Sequence, residues 1–473
     1  MNWTVLQRLQ GRSLFVLASA QGSASRVCDD GGQEGRAEVD ERTADETVSD
    51  RAAAIAPPEP DLTGEELVAR AAALRARLLE RQEETEQLSY YPEVTHREFE
   101  EAGFYRMLVP RRYGGYEFDL PTFFRVVIEL ARGCPSSAWG LCLSASHALQ
   151  MGALFEERAQ AETFGDGDFR CPAVAAPAGT ALPLDGGWEI SGTFPYCSGA
   201  PYATHCLLQT METGATPGNP VLFVVPRRQW TMLDDWTGVL GLRGSGSHSI
   251  RLDRAHIPAH HVLRNTRLVD TIVEGRTPGQ RLHGNPMYAG GTLSFFQNEL
   301  SAVVVGAVKG ALDEYEGLMR GRKTHRPPIV SRLVDPDYQR WFGAALGRVA
   351  TAEAAVVRMA EEHREICLRS AATGVPFSRE DDLRLNSISR EAQALAWDAM
   401  QGILFKTAGT SAARAGQRIE RIFRDVAMGW GHFANVSGDW VARELAKEHL
   451  GVTEGAQDGG PAGAASGGPP GAG

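Results

Sequence analysis

The residues in this sequence best suited to chemistry are two histidines, His147 and His432, and the serine Ser198. An imidazole titrates near about 6.5 when it is unperturbed, so it can accept or donate a proton at neutral pH. Ser198 lies between Cys197 and Gly199, in a stretch where a small hydroxyl side chain and nearby backbone amides are free to face a flat ligand. A single histidine is more often a structural residue, so the prediction depends on all three residues occurring together.

A second candidate segment is residues 236–248, which contain four glycines. Glycine lets the backbone approach a ligand closely, and Arg243 and Ser245 in this segment could position a ligand or substrate. The alternative is a glycine-rich hairpin in which Arg243 forms a structural ion pair, and the segment alone favours that alternative.

Residues 60–450 resemble the acyl-CoA dehydrogenase superfamily in the order of their segments. Residues 192–199 follow the strand-like Trp188-Glu-Ile-Ser191 and are similar to the family's flavin-contacting segment. The resemblance implies that Tyr196 lies beside the isoalloxazine ring and that Ser198 hydrogen-bonds near flavin N5. A second match is Pro110-Arg-Arg-Tyr-Gly-Gly115, which in the family links the first helices.

Two further segments resemble the family's contacts to the phosphate side of the flavin. Arg322 and Thr324 resemble an Arg-x-Thr-Phe-Gly motif, which binds the flavin pyrophosphate of a neighbouring subunit and so implies a homotetramer. An arginine fork suits phosphate because it donates two parallel hydrogen bonds. The sequence departs at His325 and Arg326, which replace Phe and Gly, and only Gly409 keeps a glycine of the family's Gly-Gly-x-Gly turn. A solvated basic helix end remains an equal alternative for Arg322.

The family's last bundle helix decides which subgroup the sequence resembles. Arg424 and Asp425 match the family's Arg-Asp pair and are expected to be structural, as an ion pair. In many dehydrogenases a catalytic Glu follows eight residues after that Asp, but here Phe433 stands at that position and cannot take a proton. His432 beside it, with Trp139 and His147 on an early helix, instead resembles the two-component flavin-dependent monooxygenases.

The resemblance therefore predicts the oxygenase component of a two-component monooxygenase. Reduced FMN or FAD, delivered by a separate NAD(P)H:flavin reductase, would react with O2 to form a C4a-hydroperoxyflavin that hydroxylates a small aromatic, phenolic substrate. His147 is predicted to be the base that forms the phenolate, with an unperturbed pKa, and His432 is predicted to orient substrate or hydroperoxide. The alternatives on the same fold are a dehydrogenase-like flavoenzyme acting on a thioester, an amine N-oxygenase, and a non-catalytic scaffold.

Composition limits the class of protein. The chain has 473 residues, 43% of them hydrophobic, and a formal net charge of −11, which argues against nucleic acid or an anionic membrane as the main partner. Seven cysteines without regular spacing predict a reduced, cytoplasmic protein, and no spacing typical of a metal site is found. The short apolar run at residues 14–18 is followed by acidic polar sequence, so secretion is not expected.

The sequence pattern predicts that the elements positioning these residues form an α+β fold. Polar residues 1–59 are expected to be a disordered extension or sequence upstream of the true start, and the Gly/Ala-rich residues 451–473 a disordered tail. Between them the periodicity predicts an N-terminal helical domain (60–165), a middle antiparallel β-domain (166–275) and a C-terminal four-helix bundle (276–450). The bundle helices are predicted at 293–316, 337–373, 380–407 and 419–449. In the N-terminal domain the sequence predicts a capping box at Thr63 and Glu66 and a helix over 136–153. After the capping box, apolar residues recur at helical spacing at Leu67, Ala71, Leu74 and Leu78.

Overall fold

The computed structural model describes residues 55–165, 167–214, 218–269, 271 and 275–452. The predicted extension up to residue 54 and the predicted tail from residue 453 lie outside the described residues. Two residues of the predicted extension that are described contact the rest of the fold. The amide of Ile55 donates to the carbonyl of Arg112 (3.2 Å), and Glu59 forms an ion pair with Arg70 (2.6 Å).

The N-terminal part is helical because its apolar residues recur at helical spacing. Thr63 and Glu66 form the predicted capping box, and the predicted stripe Leu67, Ala71, Leu74 and Leu78 is buried. The described helices here are α1 (Gly64–Glu80), α2 (Gln82–Leu88), α3 (Glu93–Glu101), α4 (Leu120–Gly133), α5 (Pro135–Ala145), α6 (Ala148–Leu154) and α7 (Glu157–Phe164). The single helix expected from Ser136 to Ala153 is interrupted between α5 and α6, at Ser146 and His147.

The middle part forms two four-stranded sheets whose apolar faces share one core. One sheet has the order β1-β4-β5-β8 and the other β2-β3-β7-β6. All neighbours are antiparallel, as predicted, except β1 and β4, which are parallel. The strands are β1 (Ala173–Val174), β2 (Thr180–Leu184), β3 (Gly187–Cys197), β4 (His205–Met211), β5 (Pro220–Pro226), β6 (Thr231–Met232), β7 (His248–Pro258) and β8 (Val262–Arg264).

The C-terminal part is a bundle whose central helix, α9, packs against α4, α10, α11 and α13. After a short α8 (Pro278–His283), the described helices are α9 (Thr292–Gly321), α10 (Pro336–Thr373), α11 (Arg379–Ala399), α12 (Lys406–Ala408), α13 (Arg418–Trp430), α14 (Phe433–Val436) and α15 (Gly438–Leu450). A π-helical turn, Met400–Phe405, joins α11 to α12.

The prediction of one continuous last helix over 419–449 was wrong. The helix ends at Trp430, and the chain turns at Gly431 and His432 before α14 begins. The break is stabilised by Arg390 of α11, which donates to the backbone carbonyls of Ala434 and Asn435. A sequence pattern of apolar spacing does not register this break, because the residues that hold it come from another helix.

The β-domain is tied to the N-terminal helices by a small polar cluster. Glu162 of α7 accepts from His260 (2.7 Å) and lies 3.1 Å from His261, both of which immediately follow β7. Arg158 also donates to this carboxylate (3.0 Å), so Glu162 is paired, whereas neither ring nitrogen of His261 has a hydrogen-bond partner among the described residues. Among the described residues, no helix is both long and apolar enough to cross a membrane.

Candidate active site

The site is built where α5 packs against the end of β3. Gly199 has φ +87°, and a Cβ there would lie 2.1 Å from Ser144 Oγ, so glycine is what allows α5 to approach this closely. The close approach brings the indole of Trp139 to Ser198, and Trp139 Nε1 donates to Ser198 Oγ (3.0 Å). Trp139 and Ser198, both predicted to be site residues, are therefore in direct contact.

A chain of three hydroxyl groups extends from Ser198. Ser198 Oγ lies 2.8 Å from Ser247 Oγ, which lies 2.6 Å from Ser245 Oγ. The indole N–H can only donate, so one acceptor position of Ser198 is already used. If the chain runs from Ser245 through Ser247 to Ser198, the hydroxyl proton of Ser198 is left free to donate to a ligand, and such chains polarise one another.

His147 lies in the break between α5 and α6 and is 1% exposed. Its Nδ1 is 2.8 Å from the carbonyl oxygen of Cys171. A carbonyl only accepts, so Nδ1 carries the proton and Nε2 of the neutral ring is a bare acceptor. Nε2 is buried without a hydrogen-bond partner among the described residues. Burial lowers the pKa of His147 to about 4, which corrects the expectation of an unperturbed pKa.

His432 lies in the break between α13 and α14, with its ring 5.9 Å from that of Trp139. The backbone N–H of Ala434 donates to His432 Nδ1 (3.2 Å). Nδ1 is therefore the unprotonated nitrogen, and Nε2 of the neutral ring carries the proton. Burial lowers the pKa of His432 to about 4. Phe433 next to it is 58% exposed, and its phenyl ring cannot take a proton.

One residue of the site escaped the sequence analysis. Glu299 of α9 is 1% exposed, and its Oε1 lies 3.9 Å from His147 Nε2. Neither carboxyl oxygen has a hydrogen-bond partner among the described residues. Burial raises the pKa of Glu299 well above its usual range. The neighbouring Ser146 hydroxyl acts in the opposite direction, but it forms no hydrogen bond of ordinary geometry to the carboxyl group. A signal did exist in the sequence, since Glu299 interrupts the apolar and small residues of a core helix.

The glycine-rich segment is anchored by the last bundle helix. Asp425 accepts from the backbone N–H of Leu242 (2.6 Å), and burial raises its pKa to about 7. Arg424 pairs with Glu86 (3.0 Å) and Glu420. The expected ion pair between Arg424 and Asp425 is therefore wrong, although both residues are structural. A Cβ at Gly241 would lie 2.0 Å from the carbonyl oxygen of Arg424, which shows how closely the segment is docked.

Two residues of this region that were predicted to contact the ligand are exposed on the surface. Tyr196 lies in a bulge of β3, has φ +62° and is 69% exposed, with its ring edge-on to Trp236. Arg243 is exposed, and its Nε donates to the carbonyl of Val239 (3.0 Å). Ser245 thus joins the hydroxyl chain, whereas Arg243 points away from it as a surface residue.

The predicted phosphate contacts form a separate cluster. Arg322 donates to Ser411 (2.6 Å), in the turn that holds Gly409 with its φ of +97°. Thr324 Oγ1 donates to the carbonyl of Pro328 (2.9 Å) and is used within its own loop. Arg322 follows Glu299 by 23 residues along α9, which is about 35 Å at the rise of an α-helix. The structure therefore brings Arg322 and Gly409 together but places them far from His147.

Two family sequence models match the chain. The acyl-CoA dehydrogenase N-terminal domain matches residues 65–164, and the acyl-CoA dehydrogenase C-terminal domain matches residues 299–437. The α+β fold predicted from the sequence is confirmed by these matches and by the solved structure described next.

Relatives named as oxygenase subunits or components of flavin-dependent enzymes match most of the chain. The oxygenase subunit HsaA of a flavin-dependent monooxygenase from Rhodococcus jostii (strain RHA1) is 29% identical over 77% of this chain and 93% of its own length. The oxygenase component of an FADH2-dependent resorcinol hydroxylase from Rhizobium sp. (strain MTP-10005) is 27% identical over 74% of this chain and 85% of its own. The crystal structure of a 3-HSA hydroxylase from Rhodococcus sp. RHA1 superposes with a TM-score of 0.71 and 25% identity, covering 82% of this chain and 98% of that one.

Proposed function

This chain belongs to the acyl-CoA dehydrogenase family, and from that premise we propose that it is the oxygenase component of a two-component flavin-dependent monooxygenase that hydroxylates a phenolic substrate. The relatives named as oxygenase subunits, one of them a hydroxylase of a phenol, support this function. The observation that carries it is the contact of Trp139 with both Ser198 and His432, three residues that the resemblance assigns to the flavin and its chemistry.

The described residues fit a flavin at Ser198. The hydroxyl chain that ends at Ser198 can present a donor, and Tyr196 offers an exposed aromatic ring at the end of the same strand. We assign the holding of the flavin ring to Ser198 and Tyr196, with Ser245 supporting Ser198 through the hydroxyl chain. Bound reduced flavin would supply the activation of O2.

The two histidines divide the proton chemistry. The bare Nε2 of His147 can accept the phenol proton, and the phenolate that results is more reactive at the ring carbon ortho to it. His432, with its Nε2–H, can donate a hydrogen bond to an oxygen atom in the same space. The apolar surroundings of His147, including Phe296 with its ring 5.3 Å away, exclude the water that would divert reduced flavin and O2 to H2O2.

Other parts of the proposal concern partners and location. A separate NAD(P)H:flavin reductase must deliver the reduced flavin, as either FMN or FAD. Arg322 lies about 35 Å along α9 from Glu299, and the turn that holds Gly409 lies beside Arg322. This separation from Glu299 and His147 supports a flavin phosphate bound from a neighbouring copy and hence a homotetramer. The six described cysteines are unpaired thiols, which supports a reducing cytoplasmic setting.

One observation favours a second candidate, a dehydrogenase acting on an acyl thioester. Glu299 is a buried carboxyl group close to His147, and such a dehydrogenase needs a carboxylate to remove the α-proton. However, a base must be ionised, and burial raises the pKa of Glu299 well above its usual range, which disfavours the ionised form. The monooxygenase therefore remains the better supported function.

The test supplies the purified protein with a flavin reductase, NADH and a panel of phenols. We expect O2 uptake and hydroxylated product only when the reductase is present, and tighter binding of reduced than of oxidised flavin. The contrary result is a yellow protein with bound oxidised flavin that forms an enoyl thioester from an acyl-CoA without inserting oxygen.

A further inference from the structure

The buried pair of His147 and Glu299 defines a position that neither residue fills alone. Nε2 of His147 and Oε1 of Glu299 are 3.9 Å apart, which is too long for a hydrogen bond between them. A third oxygen atom can lie within about 2.8 Å of both, which is an ordinary hydrogen-bond distance. Both groups lack a partner among the described residues, and buried polar groups are rarely left so.

The protonation of the two groups defines what that oxygen must be. Nε2 of His147 is an acceptor, because Nδ1 donates to Cys171. Burial without a nearby cation raises the pKa of the Glu299 carboxyl well above its usual range and so favours its protonated form, which donates one hydrogen bond. The position therefore suits an oxygen that both donates and accepts, as the oxygen of a hydroxyl group or a water molecule does. An ether or a carboxylate would leave one of the two groups unpaired.

We propose that His147 Nε2 and the Glu299 carboxyl together bind the hydroxyl group of the aromatic substrate, so that Glu299 is a second catalytic residue of the site. This inference rests on the proposed function for the substrate class. In the step, the substrate O–H bond breaks and its proton forms an N–H bond at Nε2. The electron pair stays on the phenolate oxygen, which accepts the hydrogen bond from Glu299.

Glu299 addresses an energetic difficulty of the mechanism. An imidazole buried in an apolar pocket is a weak base, because a lone charge there is poorly solvated. When the proton comes from a phenol that touches the ring, imidazolium and phenolate form side by side and stabilise each other. The hydrogen bond from Glu299 stabilises the phenolate further, since bonds to charged acceptors are stronger than neutral ones.

The other polar groups around the pair do not perform this task. Cys142 of α5 has its thiol 4.0 Å from the backbone carbonyl of Glu299, and burial raises the pKa of this thiol well above its usual range. The Cys171 thiol has a pKa raised in the same way, and Ser146 offers only a neutral hydroxyl. No lysine or arginine is hydrogen-bonded or ion-paired to Glu299 among the described residues.

The test compares two probes that differ by the hydroxyl proton, para-nitrophenol and its methyl ether para-nitroanisole, without flavin. Wild-type protein is expected to bind the phenol about tenfold more tightly than the ether, and Glu299→Leu is expected to abolish that preference by weakening phenol binding alone. Glu299→Gln retains an N–H donor of nearly the same shape, so it should keep most of the preference. Glu316→Gln, which removes a partly exposed carboxylate of the same helix, is the matched control and should bind both probes as wild type does.

Binding is measured by calorimetry, and the absorbance of the nitrophenolate reports whether the bound phenol is ionised. We expect a lower pKa for the bound phenol in the wild type than in Glu299→Leu. The proposal is overturned if the wild type binds the phenol no better than the ether, or if Glu299→Leu weakens both probes equally. O2 uptake with the reductase, measured separately on the wild type, shows whether the proposed function fails independently of this inference.

Discussion

His147 and His432 both stand in helix breaks, yet the backbone prepares the two rings for opposite tasks. His147 is fully buried and its Nδ1 meets a carbonyl oxygen, which leaves Nε2 bare. His432 is partly exposed and its Nδ1 meets a backbone N–H, which leaves the proton on Nε2. One ring presents an acceptor and the other a donor.

The difference shows that the tautomer, and not the charge, distinguishes these residues. Burial lowers the pKa of both rings to about 4, so both are neutral at physiological pH. A pKa alone would assign them the same role. The neighbouring backbone group decides which nitrogen carries the proton, and therefore which ring can serve as the base.

The largest effect is expected for His147→Ala. It removes the acceptor for the phenol proton, so hydroxylated product should fall by about 100-fold or more, while reduced flavin and O2 still yield H2O2. Product and peroxide are measured together with the reductase present. His363→Ala, which changes a buried histidine of α10 with a similarly lowered pKa, is the control and should keep the product-to-peroxide ratio of the wild type. A ratio unchanged in His147→Ala would contradict the assignment of the base.

A smaller effect is expected for His432, and two variants separate its roles. His432→Asn keeps a side-chain acceptor for the Ala434 amide but loses the Nε2–H donor, so product yield should fall by about tenfold at unchanged stability. His432→Ala should show the same loss of yield and also lower the free energy of unfolding by about 1 kcal/mol, because the cap of α14 is removed. Urea unfolding and product yield are measured on both. If Asn restores full yield, His432 acts only as a helix cap.

The third prediction concerns pH. The folded-state pKa of each histidine is lowered from about 6.5 to about 4, so each contributes stability that is fully present above about pH 6.5 and is lost as the pH falls through 4. Asp425 behaves in the opposite way, because its raised pKa of about 7 means that its contribution is lost as the pH rises through 7. Urea midpoints measured between these limits should fall less steeply towards acid in His147→Ala than in the wild type. An identical acid slope would show that the ring is not held neutral.

The smallest effect is expected for Phe433→Glu, which places a carboxylate where a dehydrogenase would carry its base. The side chain is 58% exposed, so the change should leave the melting temperature nearly unchanged. It should alter the hydroxylation rate by less than about twofold. No enoyl product should form from an acyl-CoA. Appearance of that product would show that the site differs from a dehydrogenase in this one residue only.

Much of the fold followed from local patterns. The capping box at Thr63 and the buried stripe that follows it are encoded within about 15 residues, and the structure confirms them. The alternation of short apolar runs with turns between residues 166 and 275 likewise matches the two sheets. The breaks at His147 and His432 were missed, because helical periodicity on both sides of each break is intact and the groups that stabilise the breaks are distant in sequence.

The sequence by itself determined the family, the order of its helices and strands, and the presence of His147, Ser198 and His432, since residue types and spacings are local information. Only the tertiary structure decided which nitrogen of each histidine carries the proton, and that Glu299 faces His147. It also decided that Arg424 and Asp425 bind different partners instead of each other. These outcomes depend on contacts between residues far apart in the chain. They also depend on burial, which shifts pKa values because it removes water from the ionisable group. Neither the contacts nor the burial can be seen in a short stretch of sequence.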